Sequence, residues 1–599
     1  MTPRSRLTRW AALGGALALA ACTSSGVAST NGGGTATAGQ GSTGSAAGGA
    51  SSSAGTTGRA SSSGGRGGSS AGGGSTSAGR GSSTGNGASS TGAAATSSAG
   101  AGSSTGAGAG STSGSGGGTG GYLGVLERGG GPMRNAVFQD AAFTQAAVSD
   151  ANTGLHVDPN FTSATWNGPV YSQPLYFVDT ATSKTMVIVT TDSNEIFAVD
   201  AATGAQIWSI AQFAPDVDPS TMYCGGIVSP IGDIGTATID PVARVLYVAA
   251  AAVVAGAPNH EVFAFDLDDG SAVSGWPVDL EGLPMTLGNG TTGKFQSNWE
   301  NERGSLLLLN GVLYVPYGGL WGDCGKYSGA VAAIPTGNPS ATAIWATSAP
   351  SGSGIWGPSG VASDGTSVFI STGNTNDNPS YPTAWNNANS EAVIRLAAGT
   401  PPLFSGAATD YFAPSDPSQD WYTDDTEDAD LGSSGVVLFD YPGSAAHPHL
   451  AFAIGKTGNA YLLDRDDLGG LSTGLSEISG QSSEVFGSMA AYTTATATYV
   501  VTLNGGTTNY NVSGDPPALG AGWQSGNGGN GSPIVSTSDG TNDYMVWVTD
   551  GNLTALDGDS GNQVAQVSIP DGYTKWVTPI IAQGALYLAG NNQLMKFDP

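Results

Sequence analysis

An all-β chain folded as a propeller of four-stranded blades is the class that residues 122–599 predict, on three observations. Helical periodicity is nearly absent. Short runs rich in Val, Ile, Tyr and Phe alternate instead with Gly, Asn and Asp turns. One unit recurs along the chain: strand, tight turn, strand, Asp-bearing turn, strand. A four-stranded sheet of that size cannot bury both faces alone, whereas sheets packed radially about an axis cover one another and leave only short edges.

The copies follow in order. The clearest pairs 186–190 with 195–200, then carries Thr203, Gly204 and Trp208. Next come 245–248 with 261–266, 312–315 with 329–333, 450–454 with 459–464, 545–548 with 552–557, and 585–588 with 593–598. Counting the strand at 369–374 and a weaker copy at 486–505, the chain holds about eight units, with seven as the alternative. The sequence stops just after Asp598, so the last blade is expected to borrow a strand from the N-terminal side. Residues 170–171 and 174–178 are placed to take part in that closure. The turn at Asp200, Thr203 and Gly204 followed by Trp208 resembles the tryptophan-docking motif of pyrroloquinoline quinone (PQQ) type propellers. That resemblance implies that Asp and Thr shape the turn, that Gly takes a positive φ, and that Trp packs on the next blade.

The first residues read differently. Arg4, Arg6 and Arg9 precede a short apolar stretch at 11–21, about half of the ~20 residues that span a bilayer. The stretch ends in Leu19-Ala20-Ala21-Cys22, which resembles the bacterial lipobox. A signal peptide at 1–21 and a lipidated Cys22 are therefore expected, and several acyl chains would hold the protein on a membrane. Thr23, where enteric inner-membrane lipoproteins carry Asp, implies the outer membrane, on its periplasmic or cell-surface face. Residues 22–121 are mostly Gly, Ser, Ala and Thr, with Val27 the only large aliphatic and no aromatic residue. They bury too little apolar surface to offset their ordering entropy, so they are read as a disordered tether with a reach on the order of 55 Å. Residues 122–599 form the propeller domain.

Composition restricts the function. All 46 acidic residues and only 12 of the 18 basic ones follow Gly121. That charge opposes nucleic acid and anionic lipid as partners. Of the three cysteines, Cys224 and Cys324 remain after Cys22. An exported domain permits a disulfide between them, with two buried thiols as the alternative. No Cys-x-x-Cys-His is present, so no c-type haem is attached. The four histidines lack zinc-binding spacing.

The segment 369–374, ending in Ser371-Thr372-Gly373-Asn374, follows a turn containing Trp356. It resembles the blade of PQQ dehydrogenases that carries an asparagine calcium ligand, and the likeness to quinoproteins and their non-enzymatic relatives extends over roughly 161–599. The resemblance implies PQQ in the central funnel on a calcium or lanthanide ion. It also implies a Glu and an Asn as metal ligands, an Asp as general base, and an adjacent cysteine pair against the quinone. Asn374 matches the Asn, whose amide oxygen suits calcium; a plain turn asparagine is the alternative. Cys324 stands where the Glu belongs, with Asp323 beside it. Tyr422 stands in the base's place, and a phenol is a poor base at neutral pH. Of the cysteine pair only Cys224 remains, which places Cys224 and Cys324 together near the funnel mouth. Asp424, Asp425, Glu427, Asp428 and Asp430 form an acidic run that is read either as a calcium-holding loop or as a solvated one.

These readings lead to an exported, lipid-anchored propeller that binds a protein, peptide or glycan, having lost the standard quinoprotein site. The alternative is a divergent PQQ- and calcium-dependent oxidoreductase acting on an alcohol or sugar.

Overall fold

The computed structural model describes residues 124–599 except 181, 321–324, 376–381, 418 and 530. The expected signal, Cys22 and the tether lie outside the described residues, as do Asp323 and Cys324.

Among the described residues the strands form eight sheets of four or more strands each. The one nearest the start shows how sequence makes such a sheet. Leu175–Asp179, Lys184–Thr190, Ile196–Asp200 and Gln206–Ile210 pair antiparallel in chain order. The middle strands are buried along nearly their whole length, because a neighbouring sheet covers each face. Their sequences are therefore continuous apolar runs rather than alternating ones. Only the fourth strand alternates with exposure, as an outer strand must.

The Asp200 turn closes by side-chain bonds. Its Oδ1 accepts from Thr203 N at 2.9 Å and Thr203 Oγ1 at 2.7 Å, and Gly204 takes φ 77°. Trp208 then reaches the following sheet, where its Nε1 donates to Leu267 O at 2.8 Å. A Cβ on Gly270 would stand 2.7 Å from Trp208 Cε3, so this position admits only glycine beneath the ring. Trp523 repeats the arrangement, donating to Gly558 O at 2.9 Å and covering Gly561.

Closure uses a different segment from the one expected. Leu175–Asp179 is the first strand of its own sheet. The strand lent to the C-terminal sheet is His156–Val157, which pairs antiparallel with Leu594–Asp598. Asp158 adds an ion pair to Lys596 at 2.8 Å. The reason is that 175–179 has its own partner strand immediately after it, joined by a tight turn, and local pairing takes precedence.

Residues 124–140 occupy the axis. Gly124–Val125 pairs with Leu175–Asp179, and Val137–Gln139 pairs parallel with Ile534–Thr537. Between them, carbonyls accept from the first strands of successive sheets: Leu126 from Ile239, Pro132 from Ser363, Met133 from Leu438, Asn135 from Ala491 and Ala136 from Val535. The two remaining sheets are reached by side chains. Arg134 Nη2 donates to Leu306 O at 2.7 Å, and Asp140 Oδ2 accepts from Gly584 N at 2.6 Å. One segment thus bonds to all eight sheets. Arg134, 1% exposed, also donates to Val361 O and pairs with Glu127 at 2.9 Å.

Candidate functional site

At one end of the axis the loops leading into the inner strands converge on a cavity that opens to solvent. Six of them contribute a lining residue each: Tyr171, Thr236, Arg303, Trp356, Phe486 and Trp576. Each stands a few residues before the first strand of its sheet, so the inner strands run away from the cavity. Gly124–Val125, antiparallel to its neighbour, runs toward the cavity, and Val137–Gln139 runs away from it again. The axial segment is therefore a loop inserted from the opposite face. Its tip, with Gly129 at φ 68° and Gly130 at φ 76°, brings Arg128 to the cavity floor.

The walls are aromatic and carry cations. The Arg303 guanidinium lies 4.8 Å from the Trp356 ring centroid, and Lys456 Nζ lies 5.8 Å from it. Trp356 and Phe486 face each other at 6.4 Å, tilted by 32°. Tyr171 and Trp576 stand at 6.1 Å, with Lys575 over Trp576 at 5.2 Å. Such pairs hold a ring-shaped ligand by its faces and add cation–π attraction.

Next to Trp356 is a polar nest. Asp430 Oδ1 accepts from Asn374 N at 2.8 Å, and Asp430 Oδ2 pairs with Lys456 Nζ at 2.6 Å. A Cβ on Gly373 would collide with Asp430 Oδ1 and lie 3.0 Å from Trp356 Nε1. Glycine is what lets carboxylate and indole meet there. Asp425 accepts from Thr375 N at 2.7 Å and Oγ1 at 2.6 Å, and Glu391 Oε2 from Leu431 N at 2.6 Å. Burial, then the Asp430 charge, pushes the Glu391 carboxyl well above the carboxylate range. Burial likewise raises Asp424 to about 7 and lifts Asp425. Burial alone would pull Lys456 down, but Asp430 and Asp428 together outweigh it and hold the ammonium charged.

The acidic run is thus not a solvated loop. Asp420 caps a helix, Trp421–Glu427, by accepting from Thr423 N at 2.9 Å. The helix ends where Asp428 adopts φ 56°. Asp424, Asp425 and Asp430 are buried, whereas Glu427 and Asp428 are exposed. Asp428 pairs with Lys456 at 2.6 Å. Tyr422, 39% exposed, is not the group beside Asn374; that group is Asp430, eight positions later. Among the expected residues the structure brings Asn374, Trp356, Asp425 and Asp430 together and leaves Glu427 and Tyr422 outside. Cys224 is disulfide-bonded; Cys324, its expected partner, lies outside the described residues, with Asp323. Lys456, Arg303, Glu391 and Arg128 were not anticipated. Lys456 follows directly after the strand His449–Ile454, and a lone lysine behind an apolar strand was the one available signal.

Similarity to solved structures shows the fold. The chain resembles the quinohemoprotein alcohol dehydrogenase from Comamonas testosteroni at 13% identity, over 80% of each chain, with a TM-score of 0.54. It resembles a europium-containing methanol dehydrogenase at 13% identity, over 80% of this chain and 98% of that one, with a TM-score of 0.53. No family model and no curated protein matches the sequence. The architecture is that of a β-propeller.

Proposed function

We propose that the chain is an exported, lipid-anchored propeller that works as a binding module, with the axial cavity as its ligand site. The convergence of six inner-strand loops on one aromatic, cation-bearing cavity carries this reading. Open aromatic faces suit a sugar ring of a glycan or an aromatic side chain of a protein or peptide. Trp356→Ala should weaken binding of a retained glycan or peptide at least tenfold in a titration by intrinsic fluorescence. Unchanged affinity would place the ligand elsewhere.

A second reading has its own observation. Asn374 and Asp430, from the acidic run, are gathered beside Trp356, which supports a PQQ-dependent oxidoreductase acting on an alcohol or sugar. Trp356 with Arg303 and Lys456 fits a flat, carboxylated quinone. The fit to a calcium ion is poorer. No group of three acidic, His or Cys side chains is placed to hold a metal among the described residues, and Asp430 is already engaged by Asn374 N and Lys456. Titration with PQQ, with and without calcium, separates the readings. Saturable, calcium-dependent quinone binding that Asn374→Ala abolishes favours the oxidoreductase, and no binding at high micromolar PQQ removes it.

A further inference from the structure

Two buried carboxylates meet where the sheet containing Thr238–Asp240 adjoins the sheet containing Leu307–Leu309. Asp233 and Glu302 are each 1% exposed. Asp233 stands in the loop before Thr238–Asp240, and Glu302 in the loop between Glu300–Asn301 and Leu307–Leu309. Leu306 N donates to Thr236 O across the same seam. Glu302 Oε2 accepts from Gly235 N at 3.2 Å, two positions after Asp233. Glu302 Oε1 has no hydrogen-bond partner. It is pressed with Gly304 O against Gly235, where a Cβ would stand 2.1 Å from the carboxylate oxygen and 2.4 Å from the carbonyl. The strand register, with Asn301 opposite Gly318, brings Tyr317 opposite Glu302 one step further on.

The seam is negative. Burial first, and the Asp233 charge second, push the Glu302 carboxyl well above the carboxylate range, and the Arg303 charge is the smallest of the influences on it. The Arg303 guanidinium is turned instead to the Trp356 ring at 4.8 Å and to Gly319 O at 3.2 Å. Asp233 takes a hydrogen bond from Thr190, and the Asp192 charge lies beside it. His260, whose ring is 5.3 Å from that of Tyr317, is lowered to about 4 by burial and stays neutral. Buried carboxylates with no cation paired to them are costly unless a proton or a metal ion offsets their charge.

We propose that Asp233 and Glu302 hold one calcium ion that ties these two sheets together. The two carboxylates match its charge, and hard oxygen donors in an irregular shell suit calcium, whereas magnesium needs near-ideal octahedral geometry and keeps its waters. No third acidic, His or Cys side chain is placed to join them among the described residues, so the further ligands are backbone oxygen, with Gly304 O already beside Glu302 Oε1, and water. The site shares no residue with the nest at Asn374 and Asp430, and it does not depend on what the axial cavity binds. Its role is structural: the ion adds a bond between neighbouring sheets at the end where the loops converge.

The test uses the full-length chain with Cys22→Ser, which keeps every described residue, stripped of metal with EGTA. Calcium added back should raise the melting temperature by about 3 °C or more, and magnesium by less. Asp233→Asn and Glu302→Gln keep the side-chain shape without the charge, and each should abolish the calcium shift. Asn374→Ala should leave it intact. No calcium shift in the wild-type domain overturns the proposal, and so does a shift that survives both Asp233→Asn and Glu302→Gln. A shift that only Asn374→Ala removes also overturns it, by moving the ion to the nest beside Trp356. The two amide variants are read separately, so one that fails to fold leaves the other to decide. Should both fail, terbium emission sensitised by the neighbouring phenol decides: Tyr317→Phe should dim it, and unchanged emission overturns the proposal.

Discussion

Gly373 has no side chain, and the polar nest depends on that. A methyl there meets the Asp430 carboxylate, which must then leave Asn374 N and Lys456. Breaking a buried charged network typically costs about 2–4 kcal/mol, so Gly373→Ala should lower the melting temperature measurably and blunt any ligand binding at Trp356. Asp192 gives a pH prediction. Burial first, and the Asp216 charge second, raise its carboxyl to about 8, outweighing a hydrogen bond from Ser193. The folded state thus holds a proton that the unfolded chain releases near pH 4. Stability from this group is full below pH 4, declines as pH rises, and levels off near pH 8. Asp192→Asn should flatten that decline, seen as a smaller loss of melting temperature between pH 4 and 8. Asn374 and Asp430 were legible as candidates because amides and carboxylates announce their chemistry. Lys456 was not, since its role depends on a partner 26 positions earlier that only folding brings near.

The repeating element was legible because its signals are local. Asp200, Thr203 and Gly204 make their turn within a few residues, and continuous apolar runs follow from two covered faces. Trp208 lies at the next level, where one element docks on another. Trp208→Ala removes a buried indole and its bond to Leu267 O, and should cost about 3–5 kcal/mol in a denaturant titration. The segment Trp421–Glu427 shows where local signals fail. Read linearly, a dense run of acids suggests a solvated loop. Folded, the helical spacing separates the run, so that Asp424 and Asp425 turn inward while Glu427 faces water. Helix capping by Asp420 was the clue, and charge density masked it.

The whole propeller depends on a strap that no repeat encodes. Residues 124–140 match no blade pattern, yet they bond to all eight sheets. Arg134 concentrates that dependence: its removal strands the half-buried Glu127 and leaves the Val361 and Leu306 carbonyls without this donor. Arg134→Met should cost about 3–5 kcal/mol and lower the unfolding midpoint without changing strand content by circular dichroism. No local pattern could reveal the strap, because its partners are spread across more than 400 positions, as the 444-residue separation of Asp140 and Gly584 illustrates.

That separation sets an order in time. The residues that fill the axis are made before the sheets around them, but their partners at 534–537 and at Gly584 are made late. Until then the early segment has nothing to hold, and the inner strands of the earlier sheets face an empty centre. Contacts this distant in sequence form slowly and expose unpaired edges while they wait. Assembly of this chain therefore resembles lacing a bag: the panels come together one after another, and the cord threaded first is the one drawn tight at the end.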